Sequence, residues 1–407
     1  MSYFDYNKIS KIHVEVSSLC NSVCPNCPRY YRHGPTHIPE LIPQSISLEK
    51  FKEWFPPELL NRLGQLIFCG NHGDPCTCKD LLPIMEYVYE NTDEDMQFQM
   101  HSNVGMKSPA VWERIGELFS RRWNWLMIFS IDGLEDTNHL YRRNVKWNKV
   151  EENVKAFTKH KGHCDWEFLI FKHNEHQIQE AKELSKEWGV TTFVPKIAGG
   201  LDNGETMATM GAINAEGKTE YNIYPPTDPK NRATYISGDP NKIEVRDFEH
   251  DPKDIKLATE SNIHVKPGTI EEWDNTPIKQ RCFNEVYVSA EGFVTPCCWV
   301  GIYIPYVNDE KKIPTSYQNN QLQQKLMECG IDNFNLHNTT LKEMLDAELL
   351  DKVYANDWNK TTACGKLAHC TDTCGKPHIL DDIRSHEDNP YGNPYDDRNP
   401  EDPFIYD

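Results

Sequence analysis

Residues 20–27 read CNSVCPNC, which places Cys20, Cys24 and Cys27 at C-x3-C-x2-C spacing directly after the alternating run KIHVEVS. A closed structural zinc site takes four ligands, and cysteine-bound iron–sulfur clusters likewise take four. Three neighbouring thiols without a fourth admit two readings: a zinc knuckle completed by a histidine such as His33 or His37, or a 4Fe–4S cluster with one iron left open. An open coordination position marks a metal site that binds a reactant. Position favours the second reading, because the thiols follow a strand, and α/β folds place their chemistry at the carboxyl ends of parallel strands. Later strand ends carry further marked segments: CGNHGDP with Gly73 and Asp74, SNVG with Ser102 and Asn103, and SIDG with Ser130 and Asp132, followed by Arg142. Asp74 suits an ammonium and Arg142 a carboxylate, while glycines let backbone approach a ligand closely. Together these are tools for holding an amino-acid zwitterion beside an iron. Singly, each has a plainer reading as a turn or a solvated charge, and only their convergence on one face carries the argument.

The elements that must position these residues alternate along the first half. Strand-like runs cover 11–17, 65–69, 96–102, 125–132, 166–171 and 191–195. Between them lie helical patterns. Ser47 is an expected N-cap, Leu81, Met85 and Val88 share a face, and Ser108-Pro109 starts a helix. Val150, Val154 and Phe157 are helically spaced, as are Ile178, Ala181, Leu184 and Trp188, the last run opened by a capping box of Asn174 and Gln177 and stopped at Gly189. Six strand–helix alternations predict a parallel sheet with right-handed crossovers, short of the eight of a closed barrel. The expected fold is therefore α/β, a partial (β/α)6 barrel over residues 1–199. A polar insertion or linker at 200–281 shows no clear pattern. A small α+β domain at 282–384 contains a hairpin turning at Glu291-Gly292 and a helix over 339–356 capped by Thr340 and Glu343. Residues 385–407 form an acidic, proline-rich tail of flexible composition.

Lys+Arg number 43 against 62 Asp+Glu, so the formal charge of −19 argues against nucleic acid and anionic membrane surfaces as partners. No stretch approaches 18 apolar residues, and the N-terminus lacks a signal-peptide pattern. Fourteen cysteines without an export signal point to metal or redox chemistry in a reducing cytoplasm rather than to disulfides.

At this level the chain resembles the radical S-adenosylmethionine (SAM) enzymes, specifically those with a C-terminal SPASM or twitch auxiliary-cluster domain. Cys20, Cys24 and Cys27 match the family signature, CPNCPR is similar to its CP-x-CPR variant, GNHGDP to its Gly-Gly-Glu segment with Asp74 in place of Glu, and SIDG…R to a SAM-contacting segment. The resemblance runs over about 10–198 and resumes at 281–376. It implies that Cys20, Cys24 and Cys27 bind a 4Fe–4S cluster whose open iron takes SAM. Gly73 and Asp74 would serve the methionine amino group, Ser130 the ribose or carboxylate and Arg142 the carboxylate, with Ser102, Asn103 and Asp132 as further cofactor contacts. Cys282-x9-Gly292-x4-Cys297 is similar to the opening of the SPASM motif, and Cys364-x5-Cys370-x3-Cys374 to its close, with Thr361 where a cysteine is usual. The missing thiols belong to a second auxiliary cluster, so the resemblance implies one auxiliary 4Fe–4S cluster on Cys282, Cys297, Cys374 and Cys370, with Cys364 competing for the fourth place and a zinc site as the alternative. Cys298 and Cys329 are spare; Cys69, Cys76, Cys78 and Cys164 read as packing thiols.

The resemblance implies reductive cleavage of SAM to a 5′-deoxyadenosyl radical that abstracts hydrogen from a peptide or small-protein substrate, giving oxidation, crosslinking or epimerisation. A flavodoxin or ferredoxin would be the reductant. The alternatives are a small-molecule dehydrogenase and a non-catalytic iron–sulfur interaction module. The chain begins almost at its first strand, so no leader-peptide-binding domain is expected ahead of the barrel. The Gln-Tyr-x-Asp pattern of sulfatase-maturing relatives is absent, so that activity is not expected.

Overall fold

Six strands alternate with helices through the first half of the chain: β1 (Lys11–Val14), β2 (Gln65–Phe68), β3 (Gln97–Ser102), β4 (Trp125–Ser130), β5 (Cys164–Ile170) and β6 (Thr192–Ile197). They pair parallel in chain order, β1 to β6. The computed structural model describes residues 2–25, 27–30, 37–197, 210–228, 231, 234–236, 243–245, 284–308, 317–361, 364 and 366–370. The expected strand runs are all found, with ends shifted by a few residues.

The helices explain themselves locally. Ser47 accepts from Lys50 N and starts Leu48–Trp54, and Pro109 opens Pro109–Ser120. Leu81, Met85 and Val88 are buried on Leu81–Asn91, as are Val150, Val154 and Phe157 on Trp147–Thr158. Ile178–Glu187 ends where Gly189 takes φ +79°, a left-handed conformation that favours glycine. The helices cover one face of the sheet. Phe68, Phe98, Trp125 and Phe129 from the strands meet Trp112, Phe119 and Phe157 from the helices in one core.

Because side chains alternate across a strand, the other face carries a different set. There Gln99, His101, Ser130, Glu167 and Lys196 are only partly buried. The result is an α/β partial barrel with an apolar outer layer and a polar inner face.

Long-range pairing adds what the local pattern did not show. The hairpin β11 (Glu285–Val288) and β12 (Val294–Thr295), turning through Gly292 at φ +88°, lies parallel beside β1. The sheet therefore has eight strands in the order β12-β11-β1-β2-β3-β4-β5-β6. β11 covers the hydrogen-bonding edge that β1 would otherwise expose.

The described residues of the 200–281 segment add two further strand pairs. β7 (Met210–Ile213) and β8 (Thr219–Ile223) form an antiparallel hairpin, as do β9 (Thr234–Ile236) and β10 (Ile243–Val245). The first turns at Gly217, whose φ is +77°.

Two local expectations need correction. The 339–356 segment is not one helix. Thr340 and Glu343 do form the expected capping box, but Leu341–Asp346 ends before Glu348, which takes φ +57°, and a second helix runs Leu349–Val353. Asn174 and Gln177 make no capping box either; their side chains are taken by the loop after β4, as described below. Cys282, Cys374, His33 and the 385–407 tail lie outside the described residues. No helix among the described residues is long and apolar enough to cross a membrane.

Candidate active site

The loop carrying Cys20, Cys24 and Cys27 leaves β1 at its carboxyl end, and the loops after β2, β3 and β4 meet it there. Asp74 N donates to Leu19 O at 2.8 Å, Asn103 Nδ2 to Cys20 Sγ at 3.5 Å, and Arg142 Nη1 to Cys24 Sγ at 3.8 Å. Val23 N and Ser22 Oγ both donate to Arg143 O. Every cofactor segment read from the sequence thus converges on one end of the sheet.

The individual roles are more specific than the sequence suggested. Asp74 is buried and accepts from Cys76 N at 2.9 Å, Asn103 N at 2.8 Å and Ser102 Oγ at 3.0 Å. It fastens the loop after β2 to the end of β3. Burial raises its carboxyl above the usual carboxylate range, against the opposing effect of those three donors. Gly73 is needed for close approach: a Cβ there would stand 1.9 Å from Ser17 O. Asp132 accepts from Leu169 N at 2.7 Å and pairs with Arg142 Nε at 2.5 Å. Its carboxyl is likewise pushed up by burial and partly restored by Arg142. Asn174 donates to Asp132 O and Leu169 O, and Gln177 accepts from Leu134 N and Thr137 Oγ1. That is why neither is free to cap a helix: both anchor the SIDG turn. Ser130 ends β4 on the partly exposed inner face.

Sequence reasoning missed three features. Glu15, on the run just past β1, is fully buried and accepts from His72 N at 2.6 Å, Gly73 N at 2.9 Å and Tyr287 Oη at 3.0 Å, so it shapes the whole GNHGDP loop. Burial pulls its carboxyl up, but His72 and Tyr287 hold it below the ordinary value. Arg29 is buried behind the cysteine loop. The third feature is the inner face itself. Lys196 is ion-paired to Glu167, and His101, beside them, is pushed down to about 4 by burial and by Lys196 and His13, against the pull of Glu167. His13 shares a hydrogen bond with Cys69 O at 2.6 Å. The sequence did carry a signal for this face: His13 and Glu15, and Asp165 and Glu167, are spaced by two in runs whose alternate positions are apolar.

The β7–β8 hairpin packs against the site. Met210 and Ile223 join Cys24, Tyr141 and Phe171 in a small apolar cluster, Arg143 pairs with Glu220 at 2.7 Å, and Tyr221 Oη donates to Leu140 O.

The chemistry of the donor set fits an iron–sulfur cluster. Ser22 N donates to Cys20 Sγ at 3.3 Å, and Asn103 and Arg142 add further donors to sulfur. Burial raises the Cys20 thiol to about 12 and the Cys27 thiol to about 11, so a bound metal must supply the drive to deprotonate them. Among the described residues no three His, Cys, Asp or Glu side chains are gathered tightly enough for a single ion. His37 is exposed, with its ring against Tyr30.

The second cysteine field is described in part. Tyr354 is buried, with its hydroxyl pushed far up by burial and by the surrounding Cys370, Cys297 and Cys329. Cys370 is buried, whereas Cys364 is exposed. Cys76, Cys78 and Cys164 are fully buried, as packing thiols would be.

No protein-family model and no curated protein matches this chain. Solved structures do overlap with it. Streptococcus suis SuiB bound to S-adenosylmethionine is 11% identical, with a TM-score of 0.42, over 73% of this chain and 61% of SuiB. SuiB bound to its precursor peptide SuiA is 13% identical, with a TM-score of 0.44, over 86% of this chain and 71% of SuiB. The protein anSMEcpe with bound AdoMet is 15% identical, with a TM-score of 0.41, over 84% of this chain and 82% of that one. In the first of these the match spans less than two thirds of SuiB. Similarity this loose leaves the chemistry to be argued from the residues of this chain.

Proposed function

We propose that the protein is a radical SAM enzyme acting on a peptide or small-protein substrate. The observation that carries this reading is the set of three thiols, Cys20, Cys24 and Cys27, at the carboxyl end of β1, facing sulfur donors from the loops after β3 and β4 at the rim of a polar inner face. A 4Fe–4S cluster bound there would supply the electron that splits the C5′–S bond of SAM, giving methionine and a 5′-deoxyadenosyl radical. The chain's own residues do the rest. Arg142, paired with Asp132 and with Nη1 toward Cys24, would take the SAM carboxylate beside the cluster. Asp74 and Gly73 present the loop that would receive the amino group, with Ser102 and Asn103 fixing that loop and Ser130 approaching from β4. The Glu167–Lys196 pair and the neutral His101 line the face where the substrate would lie. The β7–β8 hairpin narrows access for water near Cys24. The chemistry that bound SAM would supply is removal of hydrogen from a substrate C–H bond. A net oxidation then releases one proton and one electron, and an auxiliary cluster on Cys297, Cys370, Cys282 and Cys374 would accept that electron.

A peptide is the preferred substrate because the sheet is open between β12 and β6, and a chain of net charge −19 attracts a basic segment. The test is product analysis. Anaerobically reconstituted protein reduced by dithionite should convert SAM to methionine and 5′-deoxyadenosine, and the variant with Cys20, Cys24 and Cys27 all changed to Ala should not. Cleavage by the triple variant would refute the assignment.

A further inference from the structure

Arg29 is 1% exposed, yet among the described residues its guanidinium donates only to neutral oxygens. Nη1 donates to Cys20 O at 3.0 Å, and Nη2 donates to Ser22 O at 2.6 Å and to Tyr30 Oη. Tyr30 Oη in turn donates to Ser22 O at 2.9 Å, and the guanidinium lies 4.6 Å from the Tyr30 ring centre. Nε has no partner. Among the described residues no carboxylate pairs with Arg29, whereas Arg142 has Asp132, Arg143 has Glu220 and Arg114 has Glu86. The adjacent stretch 30–37, YYRHGPTH, contains no acid. A buried cation without an anion costs several kcal/mol, so a site that keeps one is built around a negative charge supplied from elsewhere.

We infer that Arg29 is the counter-charge of an anionic iron–sulfur cluster on Cys20, Cys24 and Cys27, and that it sets the reduction potential of that cluster. The inference rests on the radical SAM reading of the same three thiols. Three thiolates on a doubly positive cubane core leave one net negative charge, and reduction by one electron from an external donor leaves two. A fixed positive charge beside the loop stabilises the reduced form more than the oxidised one, which eases delivery of the electron. Its hydrogen bonds end on the carbonyls of Cys20 and Ser22, so the same side chain also orients the first thiol. Arg29 is thus a positioning and potential-setting residue rather than a catalytic one.

The test compares Arg29→Gln and Arg29→Lys with the unaltered full chain, all reconstituted anaerobically. Iron content is measured, along with the midpoint of the paramagnetic signal that disappears in Cys20→Ala. Arg29→Gln should shift the oxidised-to-reduced ratio at fixed potential by at least tenfold toward the oxidised form, a midpoint about 59 mV more negative for one electron. Arg29→Lys should stay within about threefold of the unaltered protein, because it keeps the charge while losing the forked hydrogen bonds. If the glutamine variant loses iron and the lysine variant keeps it, the charge role also stands. An unchanged midpoint in Arg29→Gln, or equal losses in both variants, would overturn the inference and leave Arg29 as a stitch in the loop. Failure of the unaltered protein to load any cluster at Cys20, Cys24 and Cys27 would instead remove the radical SAM reading, and this inference with it.

Discussion

The two faces of the same sheet are built for different ends. On the outer face Phe68, Phe98, Trp125 and Phe129 are fully packed beneath helices, with neighbouring rings 4.6–6.1 Å apart in the contacts they make with one another and with Trp112. The inner face of the sheet carries Gln99, His101, Ser130, Glu167 and Lys196, all partly exposed, among apolar neighbours such as Ile67, Leu126 and Ile128. A closed barrel fills its interior with branched apolar side chains. This sheet keeps a set of polar groups, Gln99, His101, Glu167 and Lys196, on its inner face, so stability rests mainly on the outer layer and those groups are left to bind. The difference separates what a substitution should do to folding from what it should do to chemistry.

The sharpest contrast is at the rim. Replacing Cys20, Cys24 and Cys27 by Ala should reduce SAM cleavage to the uncatalysed background while the thermal melt of the metal-free chain moves little, as read by product chromatography and circular dichroism. An outer-face truncation should do the reverse. Phe98→Ala removes a fully packed ring and should cost about 3–5 kcal/mol in denaturant unfolding, with SAM cleavage per folded molecule unchanged. Inner-face substitutions should fall between these extremes. Lys196→Met or Glu167→Gln should lower substrate modification by about 10–100-fold, the cost of one or two lost charged contacts, while uncoupled SAM cleavage stays within about twofold. Equal loss of both activities would mean that this face serves SAM rather than substrate.

A titration of stability should show the smallest effect. His101 faces Glu167, Lys196 and His13, and its pKa falls from 6.5 to about 4. Between those values the unfolded chain takes up a proton that the folded chain refuses. Stability should therefore rise with pH across that window, and His101→Gln should flatten part of the slope. His173, held near 4 by burial, contributes the same sign and should persist in that variant.

Much of this arrangement was legible in the sequence because it is local. Period-two runs marked β1 to β6, and Ser47, Thr340 and Gly189 marked helix ends, since each of these signals acts within a few residues. Cys20, Cys24 and Cys27 were legible by spacing alone. What escaped was set by distant partners. Nothing near residue 285 announces that β11 will lie beside β1. Asn174 and Gln177 have the spacing of a capping box, but the turn after β4 competes for their amides and wins. Arg29 reads as an ordinary charge until Cys20 O, Ser22 O and Tyr30 are seen to enclose it. The β7–β8 hairpin did leave a trace in the alternation around AEGK, but its polar strands bury little beyond Met210, Ala212 and Ile223.

The central claim is that the three thiols after β1 hold a cluster with one iron open to SAM. Electron paramagnetic resonance of the dithionite-reduced protein, recorded with and without SAM, addresses it directly. A cubane signal that changes shape when SAM is added, and that is lost with Cys20, Cys24 and Cys27 but kept with Cys297→Ala, is the predicted result. A spectrum indifferent to SAM, or a protein that retains zinc and no iron at these thiols, would contradict it.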